Sequence, residues 1–159
     1  MSTERRPPSA IYYVRQAVAV YLTLLATASL AQVIDISSEQ LARLQAEGVP
    51  LIDIRTAPEW QQTGVVAGSH LLTFFDEKGK IDAPAFVTKA LQIAPPDKPV
   101  ILICRTGNRT RSAGKFLHEQ AGYGTVYNVK TGIYGWRKDA GAVVPAQPLL
   151  AACKAANTC

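Results

Sequence analysis

The sequence predicts an α/β domain: a parallel sheet with helices on both faces. Three observations lead there. Short apolar runs alternate with stretches of helical spacing along most of the chain. One run, Val100 to Ile103, is apolar at every position, as in a strand buried on both faces. Turn residues (Gly48 and Pro50, Gly64 and Gly68, Pro95, Pro96 and Pro99, Gly122 and Gly124) separate the runs.

Taken in order, Gln32 to Ile36 reads as a strand, with Val33, Ile34 and Ile36 as its apolar residues. Ser37 or Ser38 is placed to cap a helix whose stripe holds Leu41, Ala42 and Leu44, and Gly48 and Pro50 end it. Leu51 to Ile54 is a second strand. Ala57 to Trp60 opens a short helical turn, with Pro58 where a first turn tolerates it. Ser69 to Thr73 is a weak third strand, and Phe74 to Asp82 reads as an exposed connection. Pro84 to Leu91 is a helix with Phe86, Val87 and Leu91 on one side. Val100 to Ile103 is the fourth strand, and a helix follows from Thr110 to Gln120 with Ala113, Phe116 and Leu117 on its apolar face. Thr125 to Val129 is the fifth strand, and Thr131-Gly132 opens a last helix to Lys138. No internal repeat is visible. Residues 32–141 therefore form the domain, and 142–159 read as a loose Ala- and Pro-rich tail carrying Cys153 and Cys159.

The first 31 residues read as a signal peptide. Arg5, Arg6 and Arg15 supply a positive region, and Ala17 to Leu30 is uncharged and largely apolar. Ser29-Leu30-Ala31 fits a small-x-small cleavage site before Gln32. The competing reading is a retained membrane anchor, but the run falls short of the roughly 20 residues a span needs. Pro7-Pro8 after Arg5-Arg6 does not fit twin-arginine export. The expectation is a periplasmic or secreted protein that touches a membrane only if this segment is kept.

The 48% hydrophobic and 18% charged content suits a packed core and excludes a disordered chain. Of the net charge of +5, the first 31 residues carry +2, and the remaining +3 includes no basic run. Nucleic-acid binding is not expected. The three cysteines are Cys104, Cys153 and Cys159. An odd number leaves at least one unpaired in a monomer. Cys153 and Cys159 are spaced to close on each other; alternatively Cys104 exchanges with them as a redox relay. Neither a His nor a second Cys pair stands at zinc spacing, so no metal site is expected.

Chemistry concentrates at Cys104. It ends the most buried strand, and the polar stretch Arg105-Thr106-Gly107-Asn108-Arg109 leads from it into a helix beginning near Thr110. A helix N-terminus favours an anion through its free N–H groups and its dipole. Arg105 and Arg109 add positive charge, and Gly107 permits a tight curl. A thiol placed there is expected to ionise below the usual value of about 8.5 and to act as a nucleophile without a neighbouring base. Neither His70 nor His118 lies in a motif that would bring it near Cys104.

Four separated pieces resemble a single-domain rhodanese, a sulfurtransferase. Leu51-Ile52-Asp53-Ile54-Arg55 with Glu59-Trp60 is similar to that family's Asp-Val-Arg…Glu-aromatic signature. Gly64 to Ser69 is similar to Gly-His-Ile-Pro-Gly-Ala, with Val65 and Ala67 departing from it. Cys104 to Thr110 matches Cys-x-x-Gly-x-Arg-Ser/Thr at each defined position, and Gly132 to Trp136 is similar to the closing Gly-Gly-x-x-x-Trp, with Thr131 in place of the first Gly.

The resemblance implies a rhodanese-like three-layer fold with a five-stranded, mostly parallel sheet. It implies that Cys104 takes sulfur from an anionic donor such as thiosulfate as a persulfide and passes it to a thiol or other acceptor, with no cofactor. Residues Arg105, Thr106, Gly107, Asn108, Arg109 and Thr110 would hold the anion. Asp53 and Arg55 fit a buried ion pair supporting the loop, and Trp60, Tyr134 and Trp136 fit the core. Cysteine phosphatases of related fold use a longer Cys-x5-Arg loop; here position 110 is Thr and the arginine falls at 109. The other functional readings are a non-catalytic binding module of this family and a thiol–disulfide protein using the tail cysteines.

Overall fold

The computed structural model describes residues 32–139 and 141–159. The proposed signal peptide lies outside the described residues. Among these, no helix is long and apolar enough to cross a membrane.

Five strands form one all-parallel sheet: β1 (Gln32–Ile36), β2 (Leu51–Asp53), β4 (Ser69–Leu71), β5 (Val100–Ile103) and β6 (Thr125–Val129), in spatial order β1-β6-β5-β2-β4. These are the five apolar runs read from the sequence. The central strand β5 is buried at all four positions. Because side chains alternate along a strand, Val100, Leu102 and Cys104 enter one core cluster while Ile101 and Ile103 enter the other.

Two helices cover each face. On the Cys104 side lie α3 (Ala83–Ile93), through Phe86 and Ala90, and α4 (Asn108–Ala121), through Ala113 and Leu117. On the other side lie α1 (Ser38–Ala46), through Leu41, and α5 (Gly132–Lys138), through Ile133 and Trp136. Helix α1 is closed by a reciprocal cap: Gln40 N–H donates to Ser37 Oγ at 3.2 Å and Ser37 N–H to Gln40 Oε1 at 2.8 Å.

The C-terminal residues are ordered, contrary to the expectation of a loose tail. Strand β7 (Val143–Val144) pairs antiparallel with β3 (Val65–Val66). Helix α6 (Gln147–Ala155) then covers the β4 edge, burying Leu150 with Ala146 against Leu71 and with Trp60 of α2 (Ala57–Thr63). Ala146, Leu150 and Cys153 share one helical face, a spacing concealed by the surrounding alanines. Covering β4 also removes an edge open to pairing. Cys153 and Cys159 are joined in a disulfide, leaving Cys104 free.

Three side chains sit elsewhere than expected. Phe74 leaves β4 inward, edge-on to Phe75 and Phe86, so the connection after β4 is buried at its start. Leu91 is exposed, because the buried face of α3 runs through Phe86 and Ala90, four residues apart. Tyr134 is 62% exposed, so it lies on the surface instead of in the core.

Candidate active site at the end of the central strand

Cys104 lies at the C-terminal end of β5 with only 1% of its surface exposed. The chain then turns through Arg105 to Gly107 and enters α4 at Asn108, two residues earlier than expected, since the helix opens in polar residues with no apolar periodicity. Gly107 adopts φ 89°, and a Cβ there would lie 2.1 Å from the carbonyl oxygen of Lys130. Only glycine fits so close to the β6–α5 junction. Gly132, at φ 57°, is constrained from the other side: a Cβ would meet the carbonyls of Cys104 and Arg105 at 2.5 Å.

Helix α5 tethers this loop by its backbone. Ile133 N–H donates to the Cys104 carbonyl at 2.8 Å and Tyr134 N–H to the Arg105 carbonyl at 3.2 Å. With those carbonyls turned to α5, the Gly107 N–H points inward and donates to Cys104 Sγ at 3.2 Å. The opening N–H groups of α4 have no intrahelical acceptor. The loop therefore aims one backbone donor at the sulfur beside a helix N-terminus, an arrangement suited to an anion.

Thr110, fully buried in the first turn of α4, is the side-chain partner of the sulfur. Its Oγ1 lies 3.4 Å from Cys104 Sγ, 2.9 Å from the Gly107 carbonyl and 2.5 Å from Asn128 Oδ1. Asn128, fully buried on β6, is oriented in turn by Asp35, whose carboxylate accepts from its Nδ2 at 2.7 Å. Asp35 also pairs with Arg111 at 2.8 Å. The hydrogen bond from Asn128, with help from the charges of Arg111 and Lys130, holds the Asp35 carboxyl below its ordinary value against the opposing effect of burial.

A second network supports the loop from α2. Arg55, 1% exposed, donates to both Asp53 oxygens, to Thr63 Oγ1 at 2.6 Å and to the Gly64 carbonyl at 2.8 Å. It thereby ties the C-terminal end of α2 to β2. Glu59 on that helix accepts from Thr56 N–H at 3.1 Å and takes both arms of Arg109, at 2.6 and 2.8 Å. Burial pushes the Glu59 carboxyl upward, but the hydrogen bonds from Arg109 and Thr56 outweigh it and hold it at about 2. The hydrogen bond to Glu59 in turn raises Arg109 against the effect of burial.

The loop residues thus divide. Gly107 and Thr110 touch the sulfur, while Thr106 and Asn108 are exposed. Arg109 is committed to Glu59. Arg105 is exposed, with its guanidinium 5.7 Å from the Tyr134 ring centre, and has no carboxylate partner among the described residues. Asp53 and Arg55 act beneath the loop. Glu59, Asn128 and Asp35 were not singled out from the sequence. Glu59 stood inside a quoted signature, whereas Asn128 and Asp35 carried no signal.

Two clefts flank Tyr134. A smaller one, about 350 Å³, is lined by Arg55, Glu59, Gln62, Arg105, Tyr134 and Arg137. A larger one, about 740 Å³, is lined by Thr106, Lys130, Thr131, Tyr134, Arg137 and Lys138.

A family profile described as Rhodanese-like domain matches residues 37–139. The thiosulfate sulfurtransferase GlpE of Pseudomonas savastanoi pv. phaseolicola is 33% identical over 102 residues, spanning 64% of this chain and 85% of that protein. A sulfurtransferase of Allochromatium vinosum is 32% identical over 106 residues, spanning 65% of this chain and 88% of its own. Among solved structures, a rhodanese-related protein from Thermoplasma volcanium superposes with a TM-score of 0.53 at 25% identity, covering 70% of this chain and 97% of that one.

Proposed function

The chain belongs to the rhodanese-like domain family, and from that premise we propose that it is an exported sulfurtransferase that carries sulfur as a persulfide on Cys104. In the first half-reaction the Cys104 sulfur, as the anion, attacks the outer sulfur of thiosulfate or a related anionic donor. The Sγ–S bond forms as the donor S–S bond breaks, and the electron pair leaves with sulfite. In the second, an acceptor thiolate attacks the outer sulfur, and the pair of the breaking Sγ–S bond returns to Cys104. No external oxidant or reductant is consumed.

One observation carries this reading: the Gly107 N–H aimed at Cys104 Sγ from a loop whose carbonyls are tied back to α5. Donors fixed before reaction stabilise charge that develops on sulfur without reorganising. Arg105, exposed and uncommitted, is the cation placed to draw in the donor and to offset charge on departing sulfite. Export to the periplasm or beyond rests on the charge and hydropathy pattern of residues 1–31.

Incubating the purified domain with thiosulfate should add one sulfur atom to the protein by mass spectrometry, and Cys104→Ser should add none. Arg105→Ala should raise the thiosulfate concentration needed for half-maximal loading about tenfold. Absence of any added sulfur with several sulfane donors would replace this reading with that of a binding module.

A further inference from the structure

Tyr134 is a large aromatic residue left on the surface, yet it lies against the active loop. Its backbone N–H donates to the Arg105 carbonyl at 3.2 Å, a bond that any residue but proline could make. What the side chain adds is the ring, whose centre lies 5.7 Å from the Arg105 guanidinium. That is within the roughly 6 Å over which a cation is drawn to an aromatic face. One residue therefore holds Arg105 twice, at its carbonyl and at its charged end.

The surroundings show why an aromatic holder differs from an acidic one. Glu59 lines the same small cleft as Arg105 and Tyr134. Its carboxylate is taken by Arg109, at 2.6 and 2.8 Å, and among the described residues no carboxylate lies within ion-pair distance of Arg105. A carboxylate beside Arg105 would fix the side chain but neutralise it. A ring attracts the guanidinium through its quadrupole and leaves the positive charge and the N–H groups free to meet an anion. Helix α5 thus orders both parts of the residue that follows Cys104: the Tyr134 N–H its backbone, the Tyr134 ring its side chain.

Resting on the sulfurtransferase reading, we infer that Tyr134 is a positioning residue for the sulfur donor. It holds Arg105 in place without neutralising it, and so sets how strongly the protein favours a doubly charged donor over a singly charged one. Tyr134 acts through Arg105 and need not touch the donor. Released from the ring, the long Arg105 side chain spreads over its rotamers and must be ordered again for each donor bound. The loss falls on donor capture. It is larger for a dianion than for a monoanion, because the attraction scales with the donor's charge.

Two donors test this. One is thiosulfate; the other is methanethiosulfonate, the monoanion in which a methyl group replaces one oxygen and methanesulfinate is the leaving group. Sulfur loading of Cys104 is followed by mass spectrometry over a range of donor concentrations. Tyr134→Leu should raise the half-saturating thiosulfate concentration about threefold, and that of methanethiosulfonate less than about 1.5-fold. The limiting rate should stay within about twofold of native, and the urea midpoint should not move, since the side chain is exposed. Tyr134→Phe keeps the ring and should match the native protein within about 1.5-fold. In an Arg105→Ala background, Tyr134→Leu should add nothing further. Native-like loading by Tyr134→Leu, an equal rise for both donors, or a full additional effect on top of Arg105→Ala overturns the assignment. Proton NMR supplies a readout free of the chemistry: the Arg105 Nε–H, shielded by the ring, should move towards the position of a free arginine in Tyr134→Leu and stay in Tyr134→Phe. Failure of thiosulfate to load the native protein would remove the sulfurtransferase reading. The Arg105 signal would then decide alone whether Tyr134 holds Arg105, and an unmoved signal in Tyr134→Leu would overturn that.

Discussion

Thr110 has one hydroxyl proton and three neighbours within reach of it. Asn128 Oδ1 can only accept, because Asp35 holds the amide's Nδ2 on its other side, and the Gly107 carbonyl also only accepts. While the Thr110 proton points to either of them, its lone pair faces Cys104 Sγ, which suits a neutral S–H donor. An anionic sulfur requires the hydroxyl to turn and donate to it. Asn128 and Asp35 therefore act through Thr110 as positioning residues. Thr110→Val keeps the branched shape but removes the hydroxyl, and should slow sulfur loading of Cys104 about 10- to 100-fold. It should also cost about 1–3 kcal/mol in a urea titration, because buried acceptors lose their donor. Thr110→Ser should restore loading to within about threefold; equal loading by the Val and Ser variants would remove the hydroxyl from the mechanism. At this scale Cys104, Gly107 and Thr110 were legible because they lie within seven consecutive residues. Asn128 and Asp35 were not, since they join the site only when β1, β6 and β5 lie side by side.

Helix α2 owes its part in the site to one side chain with two tasks. Glu59 caps its own helix through Thr56 and grips Arg109 on α4, so the loop is clamped between two helices that meet nowhere in sequence. Its carboxyl titrates at about 2 when folded, against an ordinary 4.5. A depressed acid contributes stability above its unfolded pKa and loses it as pH falls through the folded one. The stability gap between the native protein and Glu59→Gln should thus be widest near pH 6, about 1–2 kcal/mol after allowing for partial exposure. It should shrink below about pH 4.5 and close near pH 2, as read from urea midpoints along a pH series. A gap independent of pH would mean that the ion pair with Arg109 is not what Glu59 contributes. The elements themselves were readable wherever periodicity was long enough. The capping box at Ser37 and the run at Val100 are local signals. Strands β3 and β7 have two residues each, too few to show alternation, and exist because they pair with each other.

In the whole molecule, residues 143–159 form a strap over the β4 edge of the sheet, and the disulfide closes its end. The β3–β7 pairing fixes where the strap begins. Leu150 and Ala146 seat it on Trp60 and Leu71, and Lys89 of α3 donates to the carbonyl of Cys159. The alternative of a redox relay requires Cys104 to exchange with this pair. Cys104 instead lies at the end of β5, two strands in from β4, in a different core cluster from the one that Cys153 and Cys159 join. The pair therefore fits a structural role. Closing so short a loop contributes roughly 2 kcal/mol through the entropy of the unfolded chain. The variant Cys153→Ser/Cys159→Ser should lose about that much in a urea titration and should still take up one sulfur from thiosulfate at Cys104, at a rate within about twofold of the native protein. Reducing the native protein with a dithiol before loading should lower stability equally. Loss of sulfur uptake in the folded double variant would instead return the strap cysteines to the chemistry, because a structural clasp at the sheet edge gives Cys104 no reason to depend on them.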